Sequence, residues 1–402
     1  MTLAVTMNML ISTCTLTLTS LVAMVWLSRH FLIWSQGKKG FLLTETYPGV
    51  AEAVPKVSVV VAAKDEAENI ETCLTTMLDQ DYPNFEMVVC NDRSTDETAD
   101  IVQRIATEDS RLELINIKEL PDQWCGKNNA MQTGIAGTDG EWICMIDADC
   151  RQTSRRTLSA AVRYAIDTEA DLLSVLPVLE MRGFWENVIQ PVCGGVMMIW
   201  FYPDKVNDPA KPNAYANGAF MLIKRSAYEA IGTHEAVKSE VNEDMHMASL
   251  VKRSGLRLVV ARSQGLYVVR MYTSLAGILR GWGRIFYGTF GTLKRLTASF
   301  VLLAAMGLVP YAAAAWGLSL TATTIGTSSW HLACGIAGVA GVILQISVIY
   351  RYYKLIDARP RFAWTYPIGV FMVMLSLLIS LSKLRSGASL TWRGTVYNSA
   401  GK

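Results

Sequence analysis

Asp147 and Asp149 close the stretch Glu141-Trp-Ile-Cys-Met-Ile-Asp-Ala-Asp149, in which Trp142 to Ile146 are apolar without alternation. Such a run reads as a strand buried on both faces of an α/β sheet, with the two acids falling where it leaves the sheet. Carboxyl ends of strands in open α/β sheets are where ligands bind. Two hard oxygen donors there suit a divalent cation, Mg2+ or Mn2+, that itself holds phosphate. Asp-x-Asp is also short and common, so a solvated loop with two acids accounts for the same residues without chemistry. The context decides between them.

Two other strand ends carry polar groups. Val57-Ser-Val-Val-Val61 is a β-branched run followed by the loop Ala62-Ala-Lys-Asp-Glu66, with Ile70, Leu74, Met77 and Leu78 at helical spacing behind it. Phe85 to Cys90 reads as a second strand, ending at Asn91-Asp92-Arg-Ser-Thr-Asp96, which supplies turn formers and a helix N-cap. Lys64, Glu66, Asp92, Asp147 and Asp149 thus gather at three strand ends. Asp92 suits the uracil N–H or ribose hydroxyls of a nucleotide, or equally a helix cap. Lys127, in Pro121-Asp-Gln-Trp-Cys-Gly-Lys127, precedes a helix over Asn128–Ala136. A diphosphate there would meet backbone N–H groups as well as the ammonium; a solvated lysine is the plain alternative.

A strand over Leu112–Ile115 completes the first half, and further strands are expected over Asp171–Val178 and Tyr215–Lys224. The last is entered through Gly218, whose missing Cβ allows the backbone close to a ligand. Glu243 and Asp244 begin a helix over Asn242–Arg253, where acids ordinarily favour the helix dipole by ~0.3–1 kcal/mol. Strands alternating with helices at this spacing imply an α/β protein with a doubly wound, largely parallel sheet.

The rest of the composition concerns a bilayer. The 402 residues are 51% hydrophobic, and the excess is local: Leu296 to Tyr350, Phe362 to Ser382 and residues 1–28 contain no Asp, Glu, Lys or Arg. A crossing helix needs ~20 apolar residues, so four are expected, near 8–28, 299–319, 329–350 and 362–382. The first lacks a basic leader and a cleavage site, and reads as a retained anchor over residues 1–34. Arg29, Lys38, Lys39, Lys294 and Arg295 place residues 55–270 in the cytoplasm by the positive-inside tendency, although four crossings put Lys383, Arg385, Arg393 and Lys402 outside. Phe184–Pro203 reads as interfacial or groove-lining, and residues 271–295 as an amphipathic helix in the headgroup layer before the membrane region 296–402. Eight cysteines without C-x-x-C spacing and four scattered histidines do not suggest a zinc site, and a net charge of +2 does not call for nucleic acid.

In this order the motifs resemble the membrane-bound family-2 glycosyltransferases of the GT-A fold, over roughly residues 55–290. Val59-Val-Val-Ala-Ala-Lys-Asp-Glu66 is similar to that family's first nucleotide-binding strand and loop, and Asn91 to Asp96 to its acidic uridine loop. Asp147-Ala-Asp149 resembles the DxD motif that holds a metal-bound nucleotide sugar, and Glu243-Asp244 the ED motif whose Asp is the catalytic base. Gly126-Lys-Asn-Asn-Ala130, Asn217-Gly-Ala-Phe220 and Ile231-Gly-Thr-His-Glu235 are similar to motifs of branches that glycosylate lipids, including hopanoid-associated, carotenoid-acid and ceramide glycosyltransferases. Thr233 stands where relatives often carry a second glycine. Ile278-Leu-Arg-Gly-Trp282 keeps only the Trp of the Q/R-x-x-R-W of polysaccharide synthases, which speaks against a polymer product and leaves Arg280 as a diphosphate contact.

The resemblance implies inverting transfer from a UDP-sugar to a hydroxyl or carboxyl of a membrane lipid, by a multi-pass protein of the cell membrane. The donor would be held by Ala62, Lys64, Glu66, Asp92, Lys127, Asp147 and Arg280, and a divalent metal by Asp149 and Asp147. Gly218, Glu243 and Trp282 would face the acceptor, and Asp244 would take its proton. The rival readings are a polysaccharide or polyprenyl-phosphate glycosyltransferase, and a nucleotide-binding membrane scaffold in which the acids are dispensable.

Overall fold

The computed structural model describes residues 2–36, 41–50, 54–323, 328–384, 389–392 and 395–398. Lys38, Lys39, Arg385, Arg393 and Lys402, used above to orient the chain, lie outside these. In chain order the elements begin with α1 (Thr2–Gln36), β1 (Leu42–Thr44), β2 (Val57–Ala63), α2 (Ile70–Leu78), β3 (Phe85–Asp92), α3 (Thr98–Glu108) and β4 (Leu112–Ile117). There follow α4 (Gly126–Ala136), β5 (Trp142–Asp147), β6 (Cys150–Gln152), α5 (Thr157–Asp167), β7 (Leu172–Leu176) and β8 (Val178–Leu179). Next come α6 (Phe184–Trp200), α7 (Pro203–Asn207), β9 (Phe220–Lys224), α8 (Arg225–Ala230), α9 (Glu243–Arg253), β10 (Leu258–Gln264) and β11 (Tyr267–Val269). The chain continues through α10 (Leu275–Phe290), α11 (Leu293–Thr323), α12 (Ser328–Leu355) and α13 (Tyr366–Ser382) to a hairpin of β12 (Ser389–Trp392) and β13 (Thr395–Asn398).

Two compact units form. One comprises residues 40–180, 198–271 and 387–402; the other comprises residues 1–39, 181–197 and 272–386. Residues 181–197 therefore interrupt the stretch 55–270 that the sequence suggests as one domain.

In the first unit the described strands form an eight-stranded sheet in the order β1-β10-β7-β9-β5-β2-β3-β4, parallel except for β9, which runs against β5 and β7. Its centre is dry because β2 and β5 are apolar on both faces. Val57, Val59 and Val61 pack in one layer with Leu74 and Met77 of α2, while Val60 packs in the other with Met131 and Ile135 of α4. Each such side chain contributes ~1.5–3 kcal/mol by leaving water. The winding runs outward from β2 through β3 and β4, then returns to its other side at β5, making a topological switch point between β2 and β5. Ala62 is in register there with both Asp147 and Cys90. A smaller sheet, β6-β11-β8, completes the described strands of this part.

Several strand limits differ from the sequence expectation. The second strand runs on to Asp92 and the third to Ile117, because those residues pair with each other in the sheet. The run Asp171–Val178 breaks at Pro177, which has no N–H for the ladder, and Val178 then pairs in the smaller sheet. Tyr215 to Gly218 are not strand; only Phe220–Lys224 is.

The second unit holds four helices long and apolar enough to cross a membrane: Leu10–Ile33, Leu293–Thr321, Ser329–Leu355 and Pro360–Ser382. Small residues bring α11 and α12 together. A Cβ on Gly317 would lie 2.3 Å from the Gly335 nitrogen, and one on Gly338 2.3 Å from the Ala314 nitrogen. Pro310 lies inside α11 and deprives the Met306 carbonyl of its intrahelical donor. Trp26 Nε1 of α1, at 3.0 Å, and Gln345 Nε2 of α12, at 2.8 Å, donate to that carbonyl instead. In hydrocarbon an unmet carbonyl would cost several kcal/mol, so this exchange decides how three helices can meet.

Phe184–Trp200 and the expected amphipathic helix both pack against α13. The first is a helix ending at Trp200 whose Glu186 to Cys193 are buried, with Val188 O so near α13 that a Cβ on Gly369 would lie 2.3 Å away. In α10 part of the apolar face is covered by the protein itself. Ile278, Trp282 and Phe286 are buried, and Ser380 Oγ of α13 donates to the Gly283 carbonyl at 2.7 Å. Trp282, expected at an interface or against an acceptor, is 6% exposed and packs on Phe286 with ring centroids 5.5 Å apart. Arg280 is exposed on the same helix.

Candidate active site

Asp147 ends β5 as its last strand residue, and Asp149 follows one residue later, half-buried. The β2 and β3 loops beside them are stitched by short polar side chains. Thr95 N donates to Asp65 Oδ1 at 2.8 Å, Ala67 N to Asp96 Oδ2 at 3.0 Å, and Glu66 N to Thr98 Oγ1 at 2.8 Å. Lys64 Nζ donates to the carbonyls of Asp92 and Arg93, each at 3.2 Å, and Glu66 Oε2 accepts from Asn69 Nδ2 at 2.8 Å. The Asp92 carboxylate is gripped by Arg93, with Nε at 2.8 Å and the second guanidinium nitrogen at 3.2 Å. It lies against the start of α4: a Cβ on Gly126 would fall 2.2 Å from Asp92 Oδ2. A negative group is favoured at that helix end.

Lys127 is not the solvated residue the sequence allowed, and it stands at a helix start as expected. α4 begins at Gly126, and the Lys127 ammonium sits 2.7 Å from Asp147 Oδ1 and 2.7 Å from Glu243 Oε1. Its side chain is 16% exposed and that of Glu243 5%. Burial by itself would lower the lysine, but Asp147 and Glu243 outweigh it and hold the ammonium well above its ordinary value. Removing one member of such a buried pair costs about 3–5 kcal/mol, several times a surface bridge, because the partner charge is left without compensation. Gly218 has its reason here. A Cβ at that position would lie 3.0 Å from Lys127 Nζ, and the Gly218 N–H donates to Asp244 Oδ2 at 2.8 Å. The glycine thus admits the protein's own ionic cluster, a nearer neighbour than the ligand anticipated for it.

Asp244 is oriented by two backbone donors, Gly218 N–H on Oδ2 and its neighbour's Met245 N–H at 2.7 Å on Oδ1. Burial is the main reason its carboxyl is pushed up to about 7, with the adjacent Glu243 charge adding to the effect and Lys127 opposing it. A side chain that half ionises near neutrality suits proton transfer, since basicity and availability are then both substantial.

Residues that the sequence reading passed over hold this geometry. Asn128 Nδ2 donates to the carbonyls of Val237 at 2.7 Å and Glu240 at 2.9 Å, pinning to α4 the segment that leads into α9. Tyr228 and Gln132 surround His234, with the tyrosine oxygen 2.7 Å from Nδ1 and His234 N donating to Gln132 Oε1 at 3.1 Å. Burial, then Lys127, lower His234 to about 3, so it is neutral at physiological pH. Asn-Asn after a lysine and His after a Gly-Thr turn were the visible traces of both roles.

Thr233 has φ 58° beside Gly232 at φ 86°. A β-branched residue there is strained by about 1–3 kcal/mol, while a glycine would lose only a few tenths through the missing cap to Glu235 N. Allowing for the added freedom of the unfolded glycine, Thr233→Gly is expected to stabilise the protein by about 1 kcal/mol, raising Tm by ~2–4 °C. An unchanged or lower Tm in differential scanning would mean that the hydroxyl contributes more than the strain removes.

The donor set at the end of β5 fits a hard cation, and among the described residues no three ligating side chains enclose it.

An open sheet with acidic strand ends at its switch point, facing an acidic pair at a helix start, is the arrangement of a GT-A nucleotide-sugar enzyme. Residues 58–232 match the model of Glycosyl transferase family 2, and this stretch is a family-2 glycosyltransferase domain. Over 250 residues the chain is 24% identical to 4,4'-diaponeurosporenoate glycosyltransferase of Staphylococcus aureus strain MRSA252, covering 61% of this chain and 65% of that relative. The chain thus spans just under two thirds of the curated relative's length. A mannosyltransferase from Pyrobaculum calidifontis, solved with GDP-Man and Mn2+, has the same fold, with a TM-score of 0.52, 21% identity, and 91% of this chain and 98% of that one covered.

Proposed function

We propose that the protein transfers a sugar from a UDP-sugar, with inversion, to the hydroxyl or carboxyl of a membrane lipid. The observation that carries this is Asp244: a carboxylate fixed by two backbone N–H groups, raised to about 7, and placed beside the Lys127, Asp147 and Glu243 cluster. Asp244 accepts the proton of the acceptor hydroxyl as its oxygen closes on the anomeric carbon. A base on the face opposite the leaving group makes the displacement direct, hence inverting. Asp149, with Asp147, would hold a divalent cation, which when bound offsets charge on the departing diphosphate. Lys64, Glu66 and Asp92 line the strand ends assigned to the nucleotide, with the backbone at Ala62 between them. Arg280 and Trp282 belong to the helical unit; Arg280 is available as a diphosphate contact, whereas the burial of Trp282 favours a packing role over contact with the acceptor.

The relative named for 4,4'-diaponeurosporenoate supports a carotenoid-like acid or another amphiphile as acceptor. Four apolar helices, with Arg29 toward the end of the first span and Lys294 and Arg295 at the start of the second, support a protein of the cell membrane whose catalytic unit is cytoplasmic. The test is incubation of the full chain in detergent with a panel of UDP-sugars and host lipid extract, followed by mass spectrometry. One sugar added per lipid is expected. A ladder of products would favour a polymerase, and no product from any nucleotide sugar would overturn the reading.

A further inference from the structure

The position of Lys127 bears on how the site is loaded, and this inference rests on the metal and nucleotide reading just given. We propose that Lys127 is a positioning residue that holds the place of the divalent cation on Asp147, so that the cation is admitted only together with the diphosphate. Its ammonium lies at 2.7 Å from both Asp147 Oδ1 and Glu243 Oε1, joining the end of β5 to the first turn of α9. The seat is shaped for it. Gly218 leaves the room, since a Cβ would stand 3.0 Å from Nζ and 3.5 Å from Glu243 Oε1. With only 16% of its side chain exposed, Lys127 is not a surface lysine that exchanges partners freely.

Charge then orders the events. A lone divalent cation approaching Asp147 meets an ammonium already within bonding distance of the same carboxylate, and like charges at a few Å repel strongly in a partly dry site. A cation bound to UDP leaves a net negative charge and one bound to a UDP-sugar leaves none, so the ammonium repels neither complex as it does the bare cation. Metal and nucleotide should therefore bind with positive coupling, each raising the affinity of the other by the same factor. Phosphate ligation of the cation couples the two in any case, so what marks the lysine's role is that its removal strengthens metal binding without nucleotide and shrinks the coupling.

Binding of Mn2+ to the full chain in detergent, read from the electron paramagnetic resonance signal of free Mn2+, tests this with and without UDP. The native protein should bind Mn2+ at least ~10-fold more tightly when UDP is present. Lys127→Gln should bind Mn2+ alone at least ~10-fold more tightly than the native chain, with the gain from UDP reduced, whereas Lys127→Arg should keep the native pattern. A folded Lys127→Gln protein with unchanged or weaker affinity for Mn2+ would overturn the proposal. So would equal Mn2+ affinity of the native chain with and without UDP, a result that needs no variant to fold. Failure of the native protein to bind UDP and Mn2+ at all would instead remove the donor reading on which the proposal stands.

Discussion

Asp244→Asn is expected to give a folded protein that binds UDP-sugar with near-native affinity and transfers it to a hydroxyl acceptor at least ~100-fold more slowly. The substitution is close to isosteric, but it is not silent structurally. Both carboxylate oxygens accept backbone N–H groups, from Gly218 and Met245, and an amide can satisfy only one. The lost bond costs about 1–3 kcal/mol of stability, which a thermal scan on the same preparation will show. An amide cannot take a proton, and that loss appears in single-turnover transfer with donor bound. An acceptor carrying a carboxylate arrives already ionised, so with it the same variant should lose much less. Near-normal transfer to a hydroxyl by folded, donor-binding Asp244→Asn would leave the residue as a helix-start acid and nothing more.

The native enzyme should show an acid limb in its transfer rate. A base works deprotonated, and the Asp244 value of about 7 means that the rate rises with pH up to that region and then levels. His234 cannot produce the same limb, being held at about 3.

Asp149→Asn should abolish transfer and weaken donor binding chiefly when a divalent metal is present, because a neutral amide is a poorer ligand for a hard cation than a carboxylate. Without metal, native and variant should bind the nucleotide alike. Chelation of the native protein should reproduce the variant. Undiminished turnover in either case would remove the metal from the reaction.

The central strand and its acids were legible because they depend on local rules. Val57 to Val61 and Trp142 to Ile146 are unbroken apolar runs, and such runs in a parallel sheet end at a ligand-binding edge. The four apolar helices were legible for the same reason, since length and charge suffice. The ionic partners of Lys127 were not legible because they come from β5 and α9, and sequence spacing does not say which acids converge on one ammonium. Trp282 shows a related limit. Its helical spacing identified a buried face, yet lipid, acceptor and the protein's own α13 impose the same pattern. Pro177 was a readable warning that the run Asp171–Val178 could not stay one strand. The positive φ of Thr233 was signalled only by the resemblance, in which relatives often carry glycine at that position; a threonine by itself gives no such sign.

The bond from Trp26 to the Met306 carbonyl sets an order of events during synthesis. The two residues are 280 positions apart, so at ~5–20 residues per second the first helix waits roughly 14–56 s for the carbonyl it will cap. All of the glycosyltransferase stretch is translated in that interval. The eight-stranded sheet, whose last strand in chain order ends at Gln264, can therefore form while α1 still lacks its partners, and the helical unit is completed later. A ribosome stalled within α11 would hold a chain whose eight-stranded sheet is already translated and whose helical unit is incomplete.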